Sequence, residues 1–307
     1  MACQFEVYFN AGQYLHDTAT AIEVLDEIDR LESQLSIYRE ESEISQLNRC
    51  AADGPVAVEP GLFSLFSLAM ELSAASDGAY DITAGPLSHA WGFFRRAGEM
   101  PTPEVLLEAQ ARVGWRHVRL NEADCSVQFM RPVMELNVNS LGKGYALDCC
   151  AARLEEQGIN DFLFHGGQSS MLARGARGDR TDGWTVGLRH PLRKSEPLAE
   201  FVLQDAALGT SGNAAQSFVY RGKRYGHILD PRSGEPACGV YSASVVAPTA
   251  ALADALATAC YVLGGESAIE LCKQFHGVGC LLVVPGKRVN SIEILQHGID
   301  SLTILDG

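Results

Sequence analysis

The chain has 307 residues, 47% apolar and 20% charged, with a formal net charge of 24 − 38 = −14. That length and composition suffice for a packed core and exclude a long disordered chain. The acidic balance argues against nucleic acid as the main partner, because phosphate backbones are met by clustered Lys and Arg.

The chain enters a strand pattern at once, Phe5-Glu6-Val7-Tyr8-Phe9, with no basic segment and apolar stretch of a signal peptide before it. Residues 18–35 place Ala21, Val24, Leu25, Ile28, Leu31 and Leu35 at helical spacing. A second helix is expected over about 61–76, stopping near Gly78. Thr102-Pro103 reads as a cap followed by a first-turn proline, and so opens a third. Short strands are expected near 116–120, 126–129 and 133–138, and Gly142-Lys143-Gly144 opens a helix that ends at Gly158. Strands follow at 162–164, 184–189, 199–204, 216–220 and 240–247, then helices at about 250–263 and 266–275, then strands near 278–284 and 290–295. Strands and helices do not alternate as regular βαβ units, which favours an α+β fold with mixed or antiparallel sheets and packed helices. The stretch 174–183, rich in Arg, Gly and Asp, reads as a mobile surface loop.

Nine Cys, with no Cys-x-x-Cys pair, read as free thiols in a reducing compartment, and a zinc site is not expected. The uncharged run from Ala237 to Ala253 is broken by Pro248 and ends at Asp254, so it is not a membrane span. A cytoplasmic location is the expectation.

Several polar islands stand out against this background. Asp254 and Thr258 lie four residues apart in an alanine-rich helix, so their oxygens share a face. A carboxylate beside a hydroxyl suits a hard cation such as Mg²⁺, which usually travels with phosphates. The plainer alternative is a helix with one polar stripe. The run from Asn137 to Gly144 ends an apolar segment and begins a helix, where free N–H groups and the dipole favour anions and Lys143 adds a full charge. A capped turn with a surface lysine explains it equally. His165-Gly166-Gly167-Gln168 allows close backbone approach or is an ordinary tight turn. His227 precedes Asp230-Pro231 and is either structural or a general base with Asp230 as its partner. Tyr38, Tyr80 and Trp91 are core aromatics or a stacking surface for a flat heterocycle.

Taken in order, these segments resemble the ApbE family, the FAD:protein FMN transferases, from Met1 to about residue 295. The resemblance is carried by Met1-Ala2-Cys3; by Leu35-Ser36-Ile37-Tyr38-Arg39 through Ser42 to Asn48; by Tyr80-Asp81-Ile82-Thr83 through Gly85-Pro86-Leu87 and Trp91-Gly92-Phe93; by Lys143-Gly144-Tyr145-Ala146; by His227-Ile228-Leu229-Asp230-Pro231-Arg232 with Gly234; and by Ala253 to Thr258. It implies a single ApbE-like, T-fold-like domain over 1–307, with the site between sub-lobes. It also implies Mg²⁺-dependent transfer of FMN from FAD to a Thr or Ser hydroxyl of a target flavoprotein, with AMP leaving. The implied metal ligands are Asp254, Thr258, the Ala257 carbonyl and the Ser140 backbone oxygen. Met1, Tyr38, Ala79, Tyr80, Asp81, Asn137, Lys143 and His227 would line the FAD site, with His227 and Lys143 catalytic. The sequence departs from the family where Asn137, Gln168 and Asn213 stand. Hydrolysis of FAD to FMN and AMP, or FAD binding without catalysis, stays open as an alternative.

Overall fold

The computed structural model describes residues 3–15, 17–193, 195–212, 216–288 and 290–305. Met1 and Asn213, singled out above, lie outside them. In chain order the elements are β1 (Phe5–Phe9), α1 (Asp17–Leu35), α2 (Glu43–Cys50), β2 (Val56–Ala57), α3 (Pro60–Ala75), α4 (Gly85–Ala90), α5 (Pro103–Gln110), β3 (Val118–Asn121), β4 (Ser126–Phe129) and α6 (Gly142–Glu156). Then come β5 (Phe162–Gly166), β6 (Ser170–Arg174), β7 (Trp184–Arg189), β8 (Pro197–Leu203), β9 (Ala206–Gly212), β10 (Ser217–Tyr220), β11 (Lys223–Gly226), β12 (Ser242–Ala247), α7 (Ala250–Leu263), α8 (Gly265–Cys272), β13 (Gly279–Pro285), β14 (Ile292–His297) and β15 (Leu302–Ile304).

The frame is a seven-stranded sheet in the order β1-β5-β6-β9-β12-β13-β14, and every described pairing of named strands is antiparallel. Alternation puts successive side chains on opposite faces. Phe162, Phe164, Leu172, Ala207, Val245 and Leu282 face a core built with helices α1, α3, α6 and α7. Ala173, Leu208, Leu281 and Val283 face a second core shared with β7 and β8 of a three-stranded sheet, β15-β8-β7. The fold is therefore α+β, as expected.

The caps confirm two helix starts read from sequence. Thr102 Oγ1 accepts the Val105 amide ahead of α5, and Thr249 Oγ1 accepts the Leu252 amide ahead of α7. The segment 133–138 is not a strand. Its alternation is real, with Met134, Leu136 and Val138 buried, but no second strand meets it. Asn48 takes that place, accepting the Leu136 amide at 2.8 Å and donating to the Leu136 carbonyl at 3.0 Å, while the Asn137 amide donates to Ile82 O. The stretch 174–183 is turn-rich, with the Ala176 amide donating to Asp161 and the Gly178 amide to Asn10. All nine Cys are free. Among the described residues no helix is long and apolar enough to cross a membrane.

Candidate functional site

One cleft of about 1030 Å³ opens at the top of the large sheet, between the β5–β6 turn, the N-terminus of α6, the face of α7 and the 227–231 segment. Tyr38, Ala79, Tyr80, Asp81, Asn137, Ser140, Lys143, His227, Asp254 and Thr258 all line it. Ala257 is the exception: it is buried within α7 and is not on the cleft wall.

Asp254 sits on the floor. Its Oδ2 accepts the Gly144 amide at 2.9 Å, and both carboxylate oxygens lie 2.7 Å from the Ser170 hydroxyl. Burial pushes its carboxyl up to about 6, against the opposing pull of the Lys143 cation and these hydrogen bonds. Close packing makes this possible. A Cβ on Gly144 would stand 2.1 Å from Ala250 O, and one on Gly209 would stand 2.5 Å from the Ala253 backbone. The glycines of the Gly-Lys-Gly run thus serve, at Gly144, to bring two helices together, and the Gly144 amide is spent on Asp254 rather than left free for an anion.

Lys143 Nζ contacts the Ser169 hydroxyl at the end of the β5–β6 turn. Thr258 Oγ1 donates to Asp254 O at 3.2 Å and shares a hydrogen bond with Ser211 Oγ at 3.0 Å. The Ser140 hydroxyl pairs with the Tyr80 hydroxyl at 3.0 Å. Because Gly144 N–H turns to Asp254, the Ser140 carbonyl is not claimed by the amide four residues on. Ser169 and Ser170, which follow Gln168, and Ser211, which follows Thr210, carry no local sequence signal of a role. Their roles arise from strand pairing, which sets Ser170 opposite Gly209 and β9 beside β12.

His227 Nδ1 lies 3.0 Å from the Gln216 carbonyl, which accepts its proton and leaves Nε2 as the free acceptor. Burial lowers its pKa below the usual 6.5, with Lys143 adding to the effect and the Gln216 bond opposing it. Asp230 is not its partner. That carboxylate binds Arg232 at 2.8 and 2.9 Å and caps the 230–232 turn. Asp81 lines the cleft and also has a structural task. Its oxygens accept from the Thr83 amide and hydroxyl and from the Trp115 amide, so its carboxylate braces the 79–83 turn.

Of the three aromatics, Tyr38 is 59% exposed and packs against Phe94 with the rings tilted by 32° and their centroids 4.7 Å apart. Trp91 is buried, donates to Gly234 O, packs on Tyr225 and does not line the cleft. Tyr80 is buried and offers the cleft its hydroxyl. Gln168, with a positive φ of 59°, reaches Arg189 at the far wall.

The oxygen donors of this floor fit a hard divalent ion. One buried carboxylate and a threonine hydroxyl are few protein ligands, and waters and phosphate oxygens would complete the shell, as Mg²⁺ prefers to a full protein cage. Among the described residues no cluster of three His, Cys, Asp or Glu exists that would suit a transition metal.

The fold has close counterparts among solved structures. The flavin transferase ApbE of Vibrio cholerae aligns with a TM-score of 0.83 at 24% identity, covering 98% of this chain and 95% of that one. The apbe protein of Thermotoga maritima aligns with a TM-score of 0.82 at 26% identity, covering 95% and 96%. Fold and cleft together define an α+β protein of this architecture, and its curated relatives make it an enzyme of the transferase class. The ApbE family model matches residues 1–282, and the chain belongs to the ApbE family. It is 34% identical over 300 residues to the FAD:protein FMN transferase of Treponema pallidum, covering 92% of this chain and 81% of the relative. It is 30% identical over 279 residues to the FAD:protein FMN transferase of Haemophilus influenzae, covering 85% and 80%.

Proposed function

We propose that this protein transfers FMN from FAD to a Thr or Ser hydroxyl of an acceptor flavoprotein, with Mg²⁺, and releases AMP. The observation that carries the reading is Asp254: a buried carboxylate with hydroxyls and carbonyls around it at the base of a cleft that Lys143 also lines. A cation there would offset the burial of that charge. Asp254, Thr258 and the carbonyl of Ser140 are the ligands we assign to Mg²⁺; Ala257, off the cleft wall, is dropped from the set. When bound, the ion would neutralise charge on the pyrophosphate.

The chain's own residues do the rest. Lys143, steadied by Ser169, supplies a second positive charge to the phosphate being transferred. His227 Nε2 takes the proton of the incoming hydroxyl as its oxygen bonds to the FMN phosphorus. The bond from that phosphorus to the AMP oxygen breaks, and AMP leaves with the pair. Tyr38, backed by Phe94, is the cleft-lining aromatic on which we seat a flat ring of the dinucleotide. Tyr80, Asn137 and the Ala79–Asp81 backbone complete the lining.

Incubating the protein with FAD, Mg²⁺ and a candidate acceptor flavoprotein tests the reading. AMP release that requires the acceptor, with flavin covalently retained on it, is the expected result. AMP release without acceptor makes the protein a pyrophosphatase. No AMP, with yellow colour retained, makes it a flavin binder.

A further inference from the structure

Asp148, on α6, plays no part in the scheme above. One of its oxygens accepts the Ala250 amide at 2.8 Å and the other accepts the Ala251 amide at 2.9 Å. Both amides belong to the first turn of α7, the helix that carries Asp254 and Thr258. One turn earlier on α6, the Gly144 amide donates back to Asp254. Asp148 and Gly144 are four residues apart on α6, and Ala250 and Asp254 are four apart on α7, so each pair shares a face. Two carboxylates and two helix starts thus hold each other reciprocally, a turn apart, around the contact where Gly144 leaves no room for a side chain.

We infer that Asp148 is a positioning residue: by clasping the N-terminus of α7 it holds Asp254 and Thr258 in register with Lys143. Thr249 already supplies an ordinary N-cap to α7, so helix formation alone does not call for a second cap from another helix. The extra cap is costly, because burial raises the Asp148 carboxyl to about 6 despite the two amides it accepts. What the second cap adds is a fixed rotation and translation of α7 against α6. Lys143 lies one residue before the amide that Asp254 grips, so a shift of either helix separates the cation from the carboxylate.

The inference rests on the proposed flavin site, and two variants test it separately from that reading. Asp148→Asn keeps the shape and replaces one acceptor oxygen with a donor. Ala250→Pro removes one clasped N–H at the first helical position, where proline is well tolerated and Thr249 is already extended. In both, exchange of the Gly144 amide, at the other end of the clasp, is expected to quicken at least about tenfold, as a coupled contact opens. The FAD dissociation constant measured with Mg²⁺ is expected to rise about 10- to 100-fold, the range for residues that orient metal ligands. Combined with Asp254→Ala, neither change should weaken FAD binding further, since both act through that carboxylate. Unchanged Gly144 exchange overturns the clasp. Faster exchange with unaltered FAD affinity, or a lowered melting temperature alone, makes Asp148 a stabilising cap and overturns the positioning role. A wild-type protein that does not bind FAD overturns the proposed function, and Gly144 exchange then decides the clasp by itself.

Discussion

His227 shows how local surroundings set the chemistry of a single side chain. The Gln216 carbonyl fixes the proton on Nδ1, and burial disfavours the imidazolium. As pH falls, the ring must therefore be protonated below 6.5, and the neutral base persists through pH 7. The acid limb of kcat/KM is expected below 6.5, while a limb at or above that value would contradict the assignment. His227→Ala should lower kcat by about a hundredfold, the lower range for a general base, with FAD affinity changed far less. Equal loss of both, read from steady-state kinetics and flavin fluorescence titration, would mark a structural histidine. Asp254→Ala addresses the metal. Removing the buried carboxylate should abolish Mg²⁺-dependent FAD turnover while circular dichroism stays native, and a wild-type activation curve in a Mg²⁺ titration would dismiss Asp254 as a ligand.

At the scale of elements, the site depends on how closely α6, α7 and β9 approach one another. Glycine in the interior of a helix normally costs about 0.5–1 kcal/mol relative to alanine, so Gly→Ala often stabilises. Position 144 reverses that sign. A methyl there meets Ala250 O at 2.1 Å, backbone that does not yield by a rotamer change. Gly144→Ala is expected to destabilise by about 1–3 kcal/mol in chemical denaturation, the overpacking range. Unaltered or raised stability would mean that α6 and α7 are not in this contact. Much of this layer was legible in sequence, because helix periods, the Thr102 cap and the terminal glycines are local signals. The Asp254–Thr258 face was legible for the same reason. What escaped was long-range. Nothing local tells that Gly144 N–H is spent on a residue 110 positions away, that Asn48 replaces a strand partner for Leu136, or that Gln216, not Asp230, orients His227. Short paired segments such as β6 and β11 escaped too, since their hydrogen bonds lie with distant or neighbouring strands rather than in a pattern of their own.

The whole molecule turns on the seven-stranded sheet, whose two faces serve two cores. On β13, Leu281 and Leu282 are adjacent and fully buried, yet Leu281 faces the β7–β8 sheet and Leu282 faces the helices. The β6 pair Leu172 and Ala173 and the β9 pair Ala207 and Leu208 divide in the same way. A strand that loses one core's packing loses its ladder, and with it the other core's foundation. We therefore read residues 1–307 as one domain and expect a single cooperative unfolding transition. Leu281→Ala and Leu282→Ala should each lower the stability of that one transition by about 2–5 kcal/mol, the cost of a buried leucine's transfer and cavity. Calorimetry decides between this and the alternative. Two resolved transitions, with Leu281→Ala shifting only one and Leu282→Ala only the other, would show that the two faces melt as separate units. The helical floor of the cleft would then keep its geometry without the smaller sheet, whose β7 supplies only the far wall. A shared transition instead ties the cleft to both layers, because the β5–β6 turn that brings Ser169 to Lys143 and Ser170 to Asp254 springs from strands anchored on both sides.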